Sequence, residues 1–221
     1  MLLIIVGTGA MGGIIRECAL EEGGFDEICM VEPLQKNWPD RRADMIIDFN
    51  HPKAMQGIYE YVRAQGGNIP VVIGTTGQGP EDEALIRMLE KICPVCRRAN
   101  FSRGIEVMKK LAAEGRALLK DADAAVTEIH HTKKKDSPSG TARDLCHALG
   151  LDPEQAPALR LGTVCGQHKV YLALEDEVLE ISHTAYSKKI FARGALRAGR
   201  KLLAANTGEK NGSRTEVSDR G

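Results

Sequence analysis

The first twelve residues constrain the fold of this chain more than any other segment. A continuous apolar run, Leu2-Leu3-Ile4-Ile5-Val6, is followed by the glycine-rich sequence Gly7-Thr8-Gly9-Ala10-Met11-Gly12. The run is typical of a strand that is covered on both faces, and the residues from Ala10 to Glu22 carry apolar side chains at helical spacing. We therefore expect a strand, a tight glycine turn and a helix, in that order.

These features are typical of a binding site for the pyrophosphate of a dinucleotide. Gly7 permits the tight turn, Gly9 lets the phosphates approach the backbone, and Gly12 lets helix and strand pack closely, while the helix N-terminus adds N–H donors. Glu32 lies 20 residues after Gly12 and can accept hydrogen bonds from the adenosine ribose. The alternative is a glycine turn without a ligand and a surface glutamate. The cofactor-binding residues predicted here are Gly7, Thr8, Gly9, Ala10, Met11, Gly12 and Glu32.

The residues around Glu32 bear on which nicotinamide cofactor is used. A carboxylate repels the 2′-phosphate of NADPH, and the next residue is Pro33 rather than an arginine that could pair with the phosphate. The sequence therefore favours NADH. NADPH stays open as the alternative, because Lys36, Arg41 and Arg42 are close enough in sequence to pair with a phosphate.

Strands and helices alternate with short connections through the first hundred residues, which predicts a parallel sheet wound by helices. After residue 102 the pattern changes, with a strand near 124–131 and a hairpin formed by runs at 168–175 and 177–184. The predicted fold class is α/β, a Rossmann-like parallel-sheet domain with a smaller α+β domain. The predicted boundaries are 1–102 with helix 190–206 for the dinucleotide-binding domain, 103–189 for the second domain and 207–221 for a polar tail.

Composition excludes several classes of protein. The 221 residues include 30 Lys+Arg and 30 Asp+Glu, so the chain lacks the field of one sign that binding to nucleic acid or a membrane surface needs. No apolar run approaches the roughly 18–20 residues that cross a bilayer. Met1 leads directly into the apolar run without a basic segment or a cleavage site, so we expect no signal peptide and a cytoplasmic location.

Two of the six cysteines, Cys93 and Cys96, form a CxxC pair. A redox-active pair needs its first cysteine at a helix N-terminus, where the dipole stabilises the thiolate. Cys93 instead follows the helical pattern of residues 80–92, and no further ligands at zinc-site spacing accompany the pair. We therefore interpret these cysteines as structural.

The segment from Glu128 to Thr141 concentrates groups that are suited to chemistry. His130 and His131 are adjacent at a strand end, so their side chains point to opposite faces, and we predict no metal site. Histidine exchanges protons near neutral pH, and the lysines at 133–135 would attract an anion. A helix that begins near residues 138–141 offers N–H groups to a carboxylate. The alternative is a solvated basic loop followed by an ordinary capped helix.

This segment resembles the hallmark of the bacterial 4-hydroxy-tetrahydrodipicolinate reductase family, also called dihydrodipicolinate reductases. The family pattern E-x-H-H-x-x-K-x-D-x-P-S-G-T matches from Glu128 to Thr141 without a gap. Shorter family motifs occur in the same order as in the family. They are IDF at 47–49, GTTG at 74–77, ANFS at 99–102 and FA-x-GAL at 191–196. The resemblance covers residues 1–205.

The resemblance implies an NAD(P)H-dependent oxidoreductase of lysine and diaminopimelate biosynthesis that acts on a small dicarboxylate heterocycle. It implies that His130 is the general acid and Lys134 the second proton donor, and that His131, Gly140 and Thr141 hold the substrate carboxylates. By the same resemblance the second domain binds substrate and builds a homotetramer. The sequence itself leaves open the oligomeric state and whether the bound ring is hydroxylated or dehydrated. The further cofactor contacts that the resemblance implies are Gly74, Thr75, Thr76, Arg98, Ala99, Asn100 and Phe101.

Two of the departures from the family pattern lie in the glycine loop and before the last helix. The glycine loop is one residue shorter than the family's GxxGxMG, and Lys188 follows Ser187 where the family commonly has arginine. Two other functions stay open as alternatives. One is a different two-domain dehydrogenase that acts on an amino or imino acid, and the other is a nucleotide-sensing or redox-regulatory module that uses Cys93 and Cys96.

Overall fold

The computed structural model describes residues 1–35, 37–206 and 208. The polar tail predicted at 207–221, apart from Gly208, and Lys36 therefore lie outside the described residues. The chain divides into two compact units. Among the described residues, the first unit comprises Met1–Thr8, Gly24–Arg97 and residues 196–206 with 208, and the second comprises Gly9–Gly23 and Arg98–Ala195.

The first unit is built on five parallel strands. They are β1 (Leu2–Val6), β2 (Glu27–Val31), β3 (Met45–Asp48), β4 (Val71–Ile73) and β5 (Val95–Arg97). Every residue of β1, β3 and β4 is buried, as strands covered on both faces should be, and all of them are apolar except Asp48 at the end of β3. The strand order is β2-β1-β3-β4-β5. The chain adds β2 on one side of β1 and β3 to β5 on the other, so the order of the strands reverses between β1 and β3. Such sheets bind ligands outside the carboxyl ends of the strands, beside this switch point.

The described residues form six α-helices, and those predicted at Ala10–Glu22, 80–92 and 190–206 lie within two residues of their predicted bounds. The six helices are α1 (Ala10–Glu22), α2 (Ala54–Ala64), α3 (Pro80–Glu90), α4 (Arg103–Leu118), α5 (Gly140–Leu149) and α6 (Lys189–Asn206). In α2, Met55, Ile58 and Val62 are buried at helical spacing and join the core of the first unit. None of the helices among the described residues combines the length and the apolar character that a membrane span requires.

The second unit contains a four-stranded sheet. Helices α4 and α5 pack with this sheet and contribute residues to the core of the unit. The strands are β6 (Asp123–His130), β7 (Ala158–Arg160), β8 (Gly166–Ala173) and β9 (Val178–Ala185), in the order β7-β6-β8-β9. The predicted hairpin is confirmed, because β8 and β9 pair antiparallel. The short strand β7, which pairs parallel with β6, and 3-10 turns at Pro33–Gln35 and Pro153–Gln155 were not predicted. The predicted fold class of a parallel α/β domain with a smaller α+β domain is confirmed.

Gly194→Ala is expected to destabilise the second unit by about 1–3 kcal/mol. A Cβ at Gly194, in α6, would overlap the backbone oxygen of Phe101, so the helix would have to move. The matched control is Gly13→Ala in α1, where a Cβ would meet nothing within 4 Å and where alanine should stabilise the helix by about 0.5–1 kcal/mol. Urea unfolding of both variants measures the difference, and equal midpoints would contradict the expectation.

Candidate active site

A buried carboxylate and an imidazole lie together at the end of β6. Side chains two residues apart on a strand share a face, so Glu128 and His130 project to the same side. Their exposed fractions are only 1% and 8%. Oε2 of Glu128 lies 2.5 Å from Nδ1 of His130. At this distance the carboxylate can accept the Nδ1 proton and fix the orientation of the ring.

The second oxygen of the Glu128 carboxylate is held by two donors. Oε1 accepts a hydrogen bond from the backbone N–H of Ser139 at 2.9 Å and another from the guanidinium of Arg160 at 3.1 Å. Burial raises the pKa of Glu128, but hydrogen bonds from His130 and Ser139 outweigh it and lower the pKa to about 2. Glu128 is therefore an ionised carboxylate at neutral pH.

His168 joins this pair from the neighbouring strand. The register of β6 and β8 places it opposite Glu128, and its Nε2 lies 3.9 Å from the Glu128 carboxylate and 3.2 Å from the hydroxyl of Ser139. Its ring packs edge-on against His130, with centroids 5.1 Å apart. Burial, together with repulsion from a protonated His130, lowers the pKa of His168 to about 3, so this ring is neutral.

The spacing of Glu128, His130 and His168 is compatible with a metal ion, since one ligand atom from each lies within 4.8 Å of the others. The prediction that the chain has no metal site was argued from His130 and His131, and it did not consider this trio, which adds a partner from β8. The guanidinium of Arg160 already places a positive charge on the carboxylate. A cation would be repelled by that charge, so we interpret the trio as a cluster of polar contacts around an ionised carboxylate.

Lys134 lies in the loop that follows β6. Its ammonium donates to both carboxylate oxygens of Asp136 at 2.9 Å, and its side chain is 21% exposed. The backbone N–H of Lys134 donates to the carbonyl of His131 at 3.1 Å, which turns the loop back at the strand end. His131 is half-buried, and burial together with the positive charge of Lys188 lowers its pKa. Both predicted residues therefore lie directly beyond the strand that carries His130.

The N-terminus of α5 lies next in the chain. Ser139 caps the helix, because its hydroxyl accepts a hydrogen bond from the N–H of Ala142 at 3.2 Å. A Cβ at Gly140 would meet nothing within 4 Å, so the space at the first helical residue is open. The hydroxyl of Thr141 accepts a hydrogen bond from the amide of Asn100 at 2.7 Å. The structure thus brings together a predicted substrate residue and a predicted cofactor residue.

The glycine loop after β1 combines a turn that requires glycine with a helix start that has no side-chain cap. Gly7 has a φ of +114°, and a Cβ there would lie 2.9 Å from the carbonyl oxygen of Phe49, so the position requires glycine. Gly9 precedes α1 without a side-chain cap, and nothing lies within 4 Å of its Cβ position. The first N–H groups of α1 can therefore face a phosphate. The predicted residues Ala10, Met11 and Gly12 form the first turn of this helix.

Glu32 directly follows β2 at the carboxyl edge of the sheet. Its carboxylate accepts hydrogen bonds from the hydroxyl of Thr8 at 3.4 Å and from the amide of Asn50 at 3.2 Å. These two partners follow β1 and β3, the strands on either side of the switch point. The carboxylate is therefore held where this class of sheet places its ligand.

Asp48 ends β3 and is fully buried. Burial raises its pKa to about 7, although hydrogen bonds from Thr75 and from the backbone N–H of Asn50 act in the opposite direction. The same N–H of Asn50 lies 2.9 Å from the hydroxyl of Thr75. Gly74 has no room for a side chain, because a Cβ would overlap the ring of Phe49. Asp48 is part of the IDF motif but was not among the predicted site residues.

The remaining predicted cofactor residues are less tightly held. Thr76 is exposed in the loop after β4. In the segment before α4, Arg98 is exposed and pairs with Glu106 at 3.2 Å, Ala99 is exposed, and Phe101 is buried. Their roles as cofactor contacts stay predictions.

Two family models match most of the chain. The model described as dihydrodipicolinate reductase, N-terminus, matches residues 25–101, and the model described as dihydrodipicolinate reductase, C-terminus, matches residues 104–214. The chain belongs to the dihydrodipicolinate reductase family. The glycine loop at 7–12 precedes the matched residues, and it is also where the sequence departs from the family pattern.

Relatives match along nearly their whole length. A 4-hydroxy-tetrahydrodipicolinate reductase of Thermosipho africanus is 36% identical over 203 residues, which are 90% of each chain. One from an Exiguobacterium species is 34% identical over 236 residues, covering 96% of this chain and 94% of the relative. A solved structure of a dipicolinate-bound dihydrodipicolinate reductase from Paenisporosarcina sp. TG-14 shares the fold. It has a TM-score of 0.72 at 18% identity and covers 92% of this chain and 94% of that one.

These matches confirm the predicted family, the fold class and the function as an NAD(P)H-dependent reductase. Three residues that complete the network at the end of β6 were not assigned a role from the sequence: Glu128, Arg160 and His168. The roles of the individual site residues stay predictions.

Proposed function

We propose that this chain reduces 4-hydroxy-tetrahydrodipicolinate, through dihydrodipicolinate, to tetrahydrodipicolinate in lysine and diaminopimelate biosynthesis, with His130 as the general acid. The observation that supports this assignment is the buried pair of Glu128 and His130, 2.5 Å apart at the end of β6. The pair provides an oriented acid, and the N-terminus of α5, which begins ten residues later, provides donors for a carboxylate.

The proton chemistry follows from the charge that develops on the substrate. Bound NAD(P)H supplies a hydride to C4 of the conjugated ring once the hydroxylated substrate has lost water. Negative charge then moves toward C3 and the ring nitrogen, and His130 neutralises it with a proton. Lys134 is the second donor in this proposal, and its positive charge stabilises the same anion. The ring gains one hydride and one proton, so a single turnover takes a proton from only one of the two donors, and the other stabilises the anion by its charge.

The substrate carboxylates bind His131, Gly140 and Thr141 in this proposal. The open space at Gly140 and the N–H groups of the first turn of α5 suit a carboxylate, because the helix N-terminus carries partial positive charge. The hydrogen bond from Asn100 fixes the hydroxyl of Thr141 in place. Lysines at 133–135 raise the positive potential that attracts a dianion.

The residues of the glycine loop fit a dinucleotide, and Glu32 supports a preference for NADH. The positive φ of Gly7 and the uncapped start of α1 leave N–H donors for a pyrophosphate. The Glu32 carboxylate, which Thr8 and Asn50 hold in place, is oriented to accept from ribose hydroxyls and would repel a 2′-phosphate.

The wild-type chain is expected to show a higher kcat/KM with NADH than with NADPH, and Glu32→Ala should reduce this preference. Loss of the ribose hydrogen bonds should lower kcat/KM for NADH about tenfold, whereas NADPH should be used equally well or better because the repulsion is gone. The matched control is Glu81→Ala, an exposed carboxylate in α3. The absorbance of the reduced nicotinamide measures both rates. Faster turnover of NADPH by the wild type would contradict the proposed preference.

The assay that tests the function itself supplies the cyclic imine product of dihydrodipicolinate synthase and follows oxidation of NADH and NADPH. Rapid oxidation supports the proposal. A chain that leaves both cofactors unoxidised with the imine, but reduces NAD⁺ with an amino acid, would instead be a dehydrogenase of the alternative class. The redox-module alternative is disfavoured, because burial raises the pKa of the Cys93 thiol to about 12 and all six cysteines are free.

The remaining parts of the proposal concern the roles of the two domains, the oligomeric state and the location in the cell. Residues 1–102 with helix 190–206 would bind the cofactor, and 103–189 would bind substrate and build a homotetramer. Val178 and Leu179 of β9 are 59% and 46% exposed, which supports an interface on this edge of the second sheet. A cytoplasmic location stays a prediction.

A further inference from the structure

We propose that Glu128 is a positioning residue for the general acid, which it orients through Nδ1 and keeps supplied with a proton. The inference rests on the proposed function, because it requires that His130 donate a proton during turnover. It goes beyond that function by assigning a role to a buried carboxylate that does not itself donate a proton. The contact that carries it is the 2.5 Å approach of Oε2 of Glu128 to Nδ1 of His130.

This contact decides which nitrogen of His130 can act. A carboxylate accepts hydrogen bonds only, so a neutral ring beside Glu128 must carry its proton on Nδ1. Nε2 is then the nitrogen that releases a proton and is left with a lone pair. Glycine at residue 166 keeps a side chain away from Nε2, because a Cβ there would lie only 3.0 Å from this nitrogen. The imidazolium gives up the Nε2 proton, and the Nδ1 proton stays on the nitrogen that approaches Glu128.

Other groups keep Glu128 charged so that it can favour the imidazolium. The N–H of Ser139 and the guanidinium of Arg160 both donate to Oε1, which leaves Oε2 for His130. His168 faces the same carboxylate as a neutral ring and so does not replace His130 as the partner cation. The charged and titratable groups around the pair are Arg160 from β7, His168 from β8, and Lys134 and Asp136 from the loop after β6.

The test compares Glu128→Gln with Glu154→Gln, an exposed carboxylate of the same unit that pairs with Arg143. Glutamine keeps the size of the side chain and removes its charge. For Glu128→Gln we expect kcat to fall about 10- to 100-fold with a much smaller change in KM. We also expect the loss of activity at alkaline pH to begin at least about one pH unit lower. Glu154→Gln should match the wild type in all three quantities.

Two further measurements separate positioning from a general loss of structure. In a His130→Gln background, Glu128→Gln should cause no further loss of kcat, because a residue that acts through His130 has nothing left to orient. In the wild-type chain, ¹⁵N NMR of His130 at alkaline pH should show the proton on Nδ1. The NMR measurement needs neither a variant nor turnover, so it tests the proposal even if Glu128→Gln does not fold.

The outcomes distinguish this inference from the proposed function. If the wild-type chain does not turn over the imine, the proposed function is wrong. The tautomer of His130 would still test the contact between Glu128 and His130. A wild-type chain with turnover, but with an unshifted pH profile in Glu128→Gln, would overturn the inference alone. Additive losses in the double variant, or a proton on Nε2 in the neutral ring, would also overturn it.

Discussion

His130→Gln is expected to lower kcat by about 10²- to 10⁴-fold, which is the contribution that a positioned general acid makes. Glutamine keeps a hydrogen-bonding group beside Glu128 but has no proton that it can release at neutral pH. The charge that develops on the ring would then have to be neutralised by water or by Lys134. Binding of NADH should be unchanged, because His130 contacts Glu128 and His168 and belongs to none of the predicted cofactor segments.

The matched control is His147→Gln, which changes an exposed histidine of α5 in the same unit. Steady-state turnover of the imine measures kcat, and quenching of NADH fluorescence measures cofactor binding. A His130 variant that retains more than a tenth of the wild-type kcat would contradict the assignment. Equal losses in both variants would show that the effect comes from the loss of any histidine in this unit rather than from an acid.

The elements with a strong repeating pattern could be predicted from the sequence, and the short ones could not. The apolar run of β1 and the helical spacing in α1 depend only on neighbouring residues, so the predicted bounds of Leu2–Val6 and Ala10–Glu22 match the structure. Strand β7 has three residues, too few to show alternation, and it exists because it pairs in parallel with β6. Missing β7 also meant missing Arg160, which is the last residue of that strand.

The residues around His130 could likewise be predicted only where the signal lies in neighbouring residues of the sequence. Glu128 lies two residues before His130 on a predicted strand, so the alternation of side chains was a signal that could have placed both on one face. His168 carried no such signal. It lies opposite Glu128 only because of the register between β6 and β8, which is fixed by contacts between residues 40 apart in the chain. Asp48 was likewise visible as part of a motif, but it lies between Val6 of β1 and Ile73 of β4, which are distant in the sequence.

Asp48→Asn is expected to stabilise the first unit by up to about 4 kcal/mol at pH 8 but by no more than about 2 kcal/mol at pH 5. Asp48 is fully buried, and a charge there has lost its hydration without gaining a cation. Asparagine has the same shape, stays neutral, and can still accept the hydrogen bond that the N–H of Asn50 donates at 3.2 Å.

The sign follows from proton binding in the two states. Burial raises the pKa of Asp48 in the folded chain to about 7, from an ordinary value of 3.8 that applies to the unfolded chain. Between these values the folded chain holds a proton that the unfolded chain has released, so the free energy of unfolding falls as the pH rises. Below about pH 4 both states are protonated, and above about pH 7 the full loss is present. The difference of about three pH units corresponds to about 4 kcal/mol.

Trp38 makes the measurement specific to the first unit. It is the single tryptophan of the chain, and its ring stacks on Tyr61 with centroids 4.9 Å apart. Its fluorescence therefore reports unfolding of this unit in urea. The control is Asp40→Asn, an exposed carboxyl of the same unit, which should leave the pH dependence of stability unchanged. The wild type should lose stability from pH 5 to pH 8, because its buried Asp48 carboxyl ionises without a cation beside it. Asp48→Asn should lose much less stability, because it has no carboxyl at this position. Parallel pH curves for the two chains would mean that Asp48 titrates as an exposed aspartate does.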